Sequence, residues 1–293
     1  MNDFNIKYGK NGKKWYFNPD NYSDKWLDDP DRYEAVKHFY GDINMHDARK
    51  NGLKVKEEDS KLSLSERYQV MKERVEQQKI KHYGQVIPLE DLEKVFKSVK
   101  CIIRFACLCR YMYEDKKEFR SCYVLSSEEN GGRMKEILDG LDAEYLYGEH
   151  VHGVEVMPLD KALEDIRNLD KMGLVHTIWT IGTPFIATVC NCDMMHCSSM
   201  YTTLKSRIVS TFMRAEYVAK IDPQKCVGCK NCRKVCQFGC LDYGAAAKKM
   251  QVNLEKCFGC GVCRTLCPTE AITLVDRESM PETAGLYDPW GRW

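Results

Sequence analysis

The chain has 293 residues, 44% hydrophobic and 30% charged, with 44 lysines and arginines against 43 aspartates and glutamates. That composition suits a soluble globular protein with room for two domains and excludes a disordered or fibrous chain. A formal charge of +1 gives no net field that would make nucleic acid or anionic lipid the default partner.

Residues 1–10 lack the apolar segment of a secretory signal, so the protein is expected in the cytoplasm. Residues 1–60 are polar and aromatic without steady periodicity, with Trp15, Tyr16, Phe17, Tyr22, Trp26, Tyr33, Phe39 and Tyr40 set among charges. They read as an extended arm whose aromatics bury against the protein's own surface or a partner. Ser63 followed by Glu66 is a capping-box signature, and Leu64, Tyr68, Met71 and Val75 recur at helical spacing, which predicts a helix over 64–82. After Gly84 and Pro88, the spacing of Leu89, Leu92, Val95, Phe96 and Val99 predicts a second helix ending before Cys107.

A third helix is predicted over 159–172, stopped by Gly173. The β-rich runs 174–180 and 185–189 flank Gly182-Thr183-Pro184 and predict a hairpin. The apolar stretch 174–190 is broken by Gly182 and Pro184 and is shorter than the roughly 20 residues that span a bilayer, so no membrane span is expected. Residues 61–216 therefore read as a mostly helical, cysteine-rich domain. Helices followed by a hairpin also admit a winged-helix-like arrangement, although no basic recognition helix stands out.

Sixteen cysteines in a chain without a signal point to metal binding rather than disulfides. Seven lie in this upstream region: Cys101, Cys107, Cys109, Cys122, Cys190, Cys192 and Cys197. Cys107-Leu108-Cys109-Arg110 and the run from Cys190 to Cys197 place five thiols in two loops that can face each other. Cys107, Cys109, Cys190, Cys192 and Cys197 thus form a candidate metal centre. Soft thiolates favour a [4Fe–4S] cluster or zinc over hard cations, with the cluster ahead, and thiols that simply pack are the alternative. His176 and His196 read as structural.

Further along, Cys226, Cys229, Cys232 and Cys236 are followed by Cys257, Cys260, Cys263 and Cys267, the spacing C-x2-C-x2-C-x3-C written twice. Each recurs 31 positions later (257 − 226 = 31), and Lys225/Lys256, Gly228/Gly259, Val235/Leu266 and Leu241/Ile272 keep the register. Three cysteines two residues apart wrap a tight loop around an iron cube, and Gly228, Gly259 and Gly261 let the backbone approach it. A pair of zinc ribbons is the alternative, disfavoured because zinc closes its shell with four ligands.

Residues 217–276 resemble the bacterial-type two-[4Fe–4S] ferredoxins, including the Cys267-Pro268 ending. The resemblance implies a pseudo-twofold fold of two short hairpins and two short helices, in which the last cysteine of each run ligates the other cluster. Cys226, Cys229, Cys232 and Cys267 would hold one cluster, and Cys257, Cys260, Cys263 and Cys236 the second. Two positions depart from the family. Gln237 replaces the usual proline and leaves a backbone N–H that can bond to a cluster sulfur, and Cys240 is an additional cysteine, read as a small buried residue. Residues 89–213 in turn resemble the N-terminal part of uncharacterised ferredoxin-domain proteins of anaerobic microbes. The shared text is Cys-x-Cys-Arg at 107–110, Gly-Leu-Val-His at 173–176 and Cys-Asn-Cys-Asp at 190–193.

The whole reads as an α+β chain: an arm over 1–60, a helical cysteine-rich domain over 61–216, a ferredoxin domain over 217–276 and a tail over 277–293. The expected function is iron–sulfur electron transfer, one electron at a time, to or from a partner redox enzyme or other subunits of a complex, in an oxygen-poor cytoplasm. Nucleic acid is not an expected partner. Two other classes stay open: an oxidoreductase with a third, catalytic or relay, metal centre upstream, and a redox-sensing DNA-binding regulator. No G-x-G-x-x-G or P-loop pattern is present, and no catalytic set can be assigned.

Overall fold

The structure, a computed structural model, describes residues 14–42, 61–150, 152–206 and 212–286. The expectations for residues 1–10 and for Pro289, Trp290 and Trp293 of the tail fall outside them. Residues 14–42 are not an extended arm. Three short 3-10 turns, Trp15–Phe17, Pro19–Tyr22 and Asp24–Asp28, lead into helix α1 (Pro30–Gly41), which Asp29 caps by accepting from the amides of Asp31 and Arg32. Trp15, Tyr16, Tyr22 and Tyr40 are buried with their polar tips partnered. Trp15 Nε1 donates to Gln85, Tyr16 to Asp91, Tyr22 to the Tyr16 carbonyl and Tyr40 to the Ala187 carbonyl.

Helix α2 (Leu64–Lys81) begins at the expected capping box, in which the Glu66 amide donates to Ser63 Oγ and the Ser63 amide to the Glu66 carboxylate. Beyond it come β1 (Gly84–Val86), α3 (Leu89–Ser98), β2 (Cys101–Phe105), α4 (Leu108–Glu114), β3 (Cys122–Ser126) and α5 (Gly132–Asp139). They are followed by β4 (Glu155–Val156), α6 (Leu159–Lys171), β5 (Val175–Thr180), β6 (Ile186–Cys192), α7 (Ser198–Tyr201) and β7 (Phe212–Met213). The seven strands form one sheet in the order β4-β2-β3-β6-β5-β1-β7, antiparallel except for the β1–β7 pair.

This corrects the reading of a mostly helical domain. The predicted hairpin exists as β5 and β6, but both are inner strands of the sheet, so it is no wing. The missed strands β2 and β3 are buried on both faces, and such runs carry no polar alternation to mark them as strands.

The sheet is covered on both sides. On one face, α3 and α6 bring Leu92, Val95, Phe96, Ala162 and Ile166 against Ile102, Leu125, Ile178 and Val189. On the other, α1 and α5 bring Val36, Met134, Ile137 and Leu138 against Ile103, Phe105 and Val124. Each such aliphatic side chain fully withdrawn from water contributes about 1.5–3 kcal/mol.

The C-terminal unit comprises β8 (Tyr217–Ile221), α8 (Asn231–Lys234), β9 (Leu241–Gly244), β10 (Lys249–Val252), α9 (Val262–Thr265) and β11 (Ile272–Asp276). β8 pairs with β11 and β9 with β10, both antiparallel. The unit docks on the sheet domain through an apolar cluster in which Phe258 and Val262 meet Val86, Val175, Trp179 and Phe212. Arg264 pairs with Glu90 at 2.5 Å, and Thr265 hydrogen-bonds to Asp170. Among the described residues no helix is long and apolar enough to cross a membrane.

Candidate metal centres

The sequence repeat is also a repeat of geometry. Gly228 and Gly259 both sit at positive φ, +69° and +75°. A Cβ on Gly228 would meet the Lys248 carbonyl oxygen at 2.4 Å, and one on Gly259 the Tyr217 carbonyl oxygen at 2.0 Å. Residues 217 and 248 are themselves 31 apart, so the same tight loop is closed against the same neighbour in each half. Only glycine satisfies both the dihedral and the contact.

Hydrogen bonds to sulfur repeat in the same way. The Met250 amide donates to Cys226 Sγ and the Ala219 amide to Cys257 Sγ, each at 3.4 Å. The Cys240 amide donates to Cys236 Sγ at 3.4 Å and the Ala271 amide to Cys267 Sγ at 3.2 Å. Amide donors favour a thiolate over a thiol, and a thiolate is the form that ligates metal. At Cys267 burial acts to raise the thiol, but the amides of Ala271 and Thr269 outweigh it and hold the group below its ordinary value.

Cys226, Cys229, Cys232 and Cys267 line one cavity. Cys260 and Cys263 instead feel the charges of Cys257 and Cys236. The two halves differ in exposure: Cys229 is exposed beside Val227, itself 63% accessible, whereas its counterpart Cys260 is half-buried against the apolar cluster shared with the sheet domain.

Gln237 does something other than its sequence suggests. The backbone amide that bonds to Cys236 Sγ is that of Cys240, at 3.4 Å, and the Gly239 amide donates to the Cys236 carbonyl. The Gln237 side chain instead bridges the two domains, accepting from the Met194 amide at 3.1 Å and donating to the Gly173 carbonyl at 3.3 Å. Cys240 is buried as expected, but it is more than filler. Its Sγ lies 3.4 Å from Cys236 Sγ, and its thiol holds Cys236 down at about 6. Around Cys257, the fully buried Arg277 donates to the carbonyls of Ala215, Tyr217 and Cys257, and Arg214 reaches the Cys257 carbonyl at 3.2 Å.

The upstream cysteines also come together. Cys107, Cys109, Cys190, Cys192 and Cys197, the five singled out in the sequence, line a single cavity of about 80 Å³, and Cys122 completes a set of six. Cys107 interacts with Cys122 and Cys192, Cys122 with Cys190, Cys192 with Cys197, and Cys109 feels Cys107 first and then Cys197 and Cys190, so the six sulfurs make one ring-like cluster about the cavity. Cys101 stands outside it. The thiols are not carried on two loops. Cys190 and Cys192 lie within β6, where residues two apart share a face, and Cys122 of β3 is the cross-strand partner of Cys190. Cys107 and Cys197 are the N-cap residues of α4 and α7.

A sulfur–amide bond occurs here as well, from the Met200 amide to Cys197 Sγ at 3.4 Å. Interactions with Cys122 and Cys192 hold the Cys107 thiol well below its ordinary value, and Cys192 does the same for Cys197. Left empty, a void of this size would cost about 2 kcal/mol at ~24 cal/mol per Å³.

The sequence text around these thiols has structural work of its own. Arg110, next to Cys109, pairs with Asp193, next to Cys192, at 2.6 Å, and Asp193 bonds to His196, which contacts Glu114 at 2.9 Å. Burial raises Asp193, but Arg110 and His196 overcome it and hold the carboxyl below its usual value. The Asn191 side chain donates to the Ser121 carbonyl and contacts His176, which in turn faces Asp170. Both histidines are therefore structural partners of carboxylates rather than members of the sulfur ring.

Aromatic rings connect the two regions. Phe258, adjacent to Cys257, stacks on Phe238 at 4.2 Å and meets Phe212 at 5.9 Å; Phe212 meets Trp179 at 5.9 Å, and Trp179 stacks on His82 at 5.1 Å. Trp179 and His82 are walls of the ring's cavity.

Among the described residues, no three His, Cys, Asp or Glu side chains close at the geometry of a single metal ion, in either region. Metal–sulfur bonds of about 2.3 Å around one ion would set sulfurs roughly 3.8 Å apart, closer than a cube spaces its ligands. No curated protein sequence matches the chain. Residues 219–274 match the family of the 4Fe-4S dicluster domain, so the C-terminal part of the sequence carries a dicluster ferredoxin domain of the kind that serves iron–sulfur electron transfer.

Proposed function

We propose that the chain relays single electrons through two [4Fe–4S] clusters, one held by Cys226, Cys229, Cys232 and Cys267, the other by Cys257, Cys260, Cys263 and Cys236. The observation that carries this reading is the twofold repeat of sulfur–amide bonds and glycine contacts around thiols that recur at one fixed offset, within the matched domain. When bound, the clusters supply one-electron redox chemistry without proton or atom transfer. The residues set its direction. Cys229 and Val227 put the first site at the surface, where a partner redox protein exchanges electrons, while Phe238 and Phe258 set the second against the sheet domain. Buried Arg277 and Arg214 beside Cys257 favour added negative charge there and so draw electrons inward.

Iron and sulfide analysis of protein purified without oxygen tests this. Cys226→Ser and Cys257→Ser are each expected to remove about four irons and one reduced-cluster signal in electron paramagnetic resonance. A count that neither substitution changes would refute the assignment.

A second reading, an oxidoreductase that delivers electrons to its own small substrate, is favoured by an open recess of about 380 Å³ beside the sulfur ring. The recess shares Phe39, His82, Ser198 and Ser199 with the ring's cavity. Substrate turnover by the purified chain in the absence of any partner protein would select it over the relay.

A further inference from the structure

We infer that the six-sulfur ring is a third iron–sulfur site, with Cys107 and Cys197 among its ligands and Trp179 at its wall. This rests on the two-cluster reading only for its supply of electrons.

The donor set is soft: six thiols face one cavity whose remaining wall is mostly aromatic, aliphatic or hydroxyl, with no lysine, arginine or carboxylate among the lining residues. Thiolates without oxygen donors select iron–sulfur clusters, zinc or copper(I) over magnesium, calcium or manganese. Zinc takes four sulfurs around one ion, and no such closure occurs among the described residues. Nor do the eight thiols of the ferredoxin domain close on a single ion, and there clusters rather than single ions are the expected occupants.

The ring repeats the chemistry of those cradles. An amide N–H group reaches Cys197 as others reach Cys226, Cys257, Cys236 and Cys267. Thiols that only packed would close on one another and leave no cavity among them. Four separate elements, β3, α4, β6 and the turn before α7, contribute the sulfurs, and the Arg110–Asp193 pair ties two of those pieces together. The position fits as well, because the line Phe258, Phe212, Trp179 runs from a ferredoxin ligand loop to the ring.

The test uses the full chain, reconstituted without oxygen with ferrous iron and sulfide, then analysed for iron, zinc and free thiols and by Mössbauer spectroscopy. The expected wild-type count exceeds eight and reaches about twelve irons if the ring holds one cube. Cys107→Ser combined with Cys197→Ser is expected to return the count to about eight, while Cys101→Ala, a buried thiol outside the ring, leaves it at the wild-type value. A wild-type protein with about eight irons overturns the inference, whether the ring then carries zinc, disulfides or free thiols. So does an unchanged count in the double variant. Should that variant fail to fold, the wild-type count and the share of iron in a third Mössbauer component decide alone. Failure of the ferredoxin assignment would look different: Cys226→Ser and Cys257→Ser would leave the iron content intact whatever the ring does.

Discussion

At Cys236 Sγ, the backbone amide and the thiol of Cys240 converge, and the thiol is the unusual donor. Residue 271, the counterpart of Cys240 in the second repeat, is alanine, so the two halves are chemically unequal at this one place. A hydrogen bond to a charged acceptor contributes about 1.5 kcal/mol, and for a one-electron couple about 1.4 kcal/mol corresponds to ~59 mV. Cys240→Ala is therefore expected to keep the iron content and lower one cluster's potential by about 60 mV in a titration followed by electron paramagnetic resonance. Loss of about four irons would instead make Cys240 a ligand. Arg277 works on the same loop from behind, with its guanidinium on three carbonyls and no accessible surface. Arg277→Met strands the Ala215 and Tyr217 carbonyls in the interior while Cys257 keeps Arg214, and the holoprotein should lose about 3 kcal/mol of stability in denaturant unfolding, at 1–3 kcal/mol for each unsatisfied group. A loss below about 1 kcal/mol would mean that water replaces the guanidinium.

Among elements, the ligand loops depend on two glycines that nothing else can replace. Gly228→Ala and Gly259→Ala each force a Cβ into a carbonyl oxygen at positive φ, and each should cost the protein the cluster of its own half, about four irons, with the other half retained. Simultaneous loss of both clusters from either change would show that the halves do not load independently. These loops were legible in the sequence because every contact that defines them is local or repeats at a fixed offset. The capping box of α2 and the stops of α3 and α6 were legible for the same reason. The sulfur ring was legible only in part. Cys107, Cys109, Cys190, Cys192 and Cys197 announce themselves as close pairs and a short run. Cys122 is alone in its strand and enters only because β3 and β6 pair in the register that sets it opposite Cys190. That register is a long-range choice made by the core, and the doubly buried strands that build it carry no alternating pattern. The aromatics of residues 14–42 were expected to bury, and Trp15, Tyr16, Tyr22 and Tyr40 do so on the protein's own sheet domain; their lack of helical or strand periodicity, set by the surface they cover, is what hid α1 and the 3-10 turns behind the reading of an arm.

On the scale of the whole molecule, a formal charge of +1 conceals an uneven surface. Lys225, Lys230, Arg233, Lys234 and Lys248 are exposed in the half that presents Cys229 and Val227. A cationic rim around an exposed apolar residue suits an acidic redox partner, because opposite fields raise the rate of encounter and fix its orientation before apolar contact forms. Steering of this kind is screened as the Debye length shrinks from about 30 Å at 0.01 M salt to about 3 Å at 1 M. Two small reductants read the field without knowledge of the natural partner. Reduction by the dithionite anion should slow as salt rises, and reduction by the methyl viologen radical cation should quicken, each by up to about tenfold across that range. The triple change Lys225→Gln, Lys230→Gln and Lys248→Gln removes charge from the rim without touching a proposed ligand, and it should flatten both slopes while the iron content stays unchanged. Stopped-flow traces at the two salt concentrations provide the measurement. Equal slopes for anion and cation, or slopes that survive the triple change, would move the entry point for electrons away from Cys229.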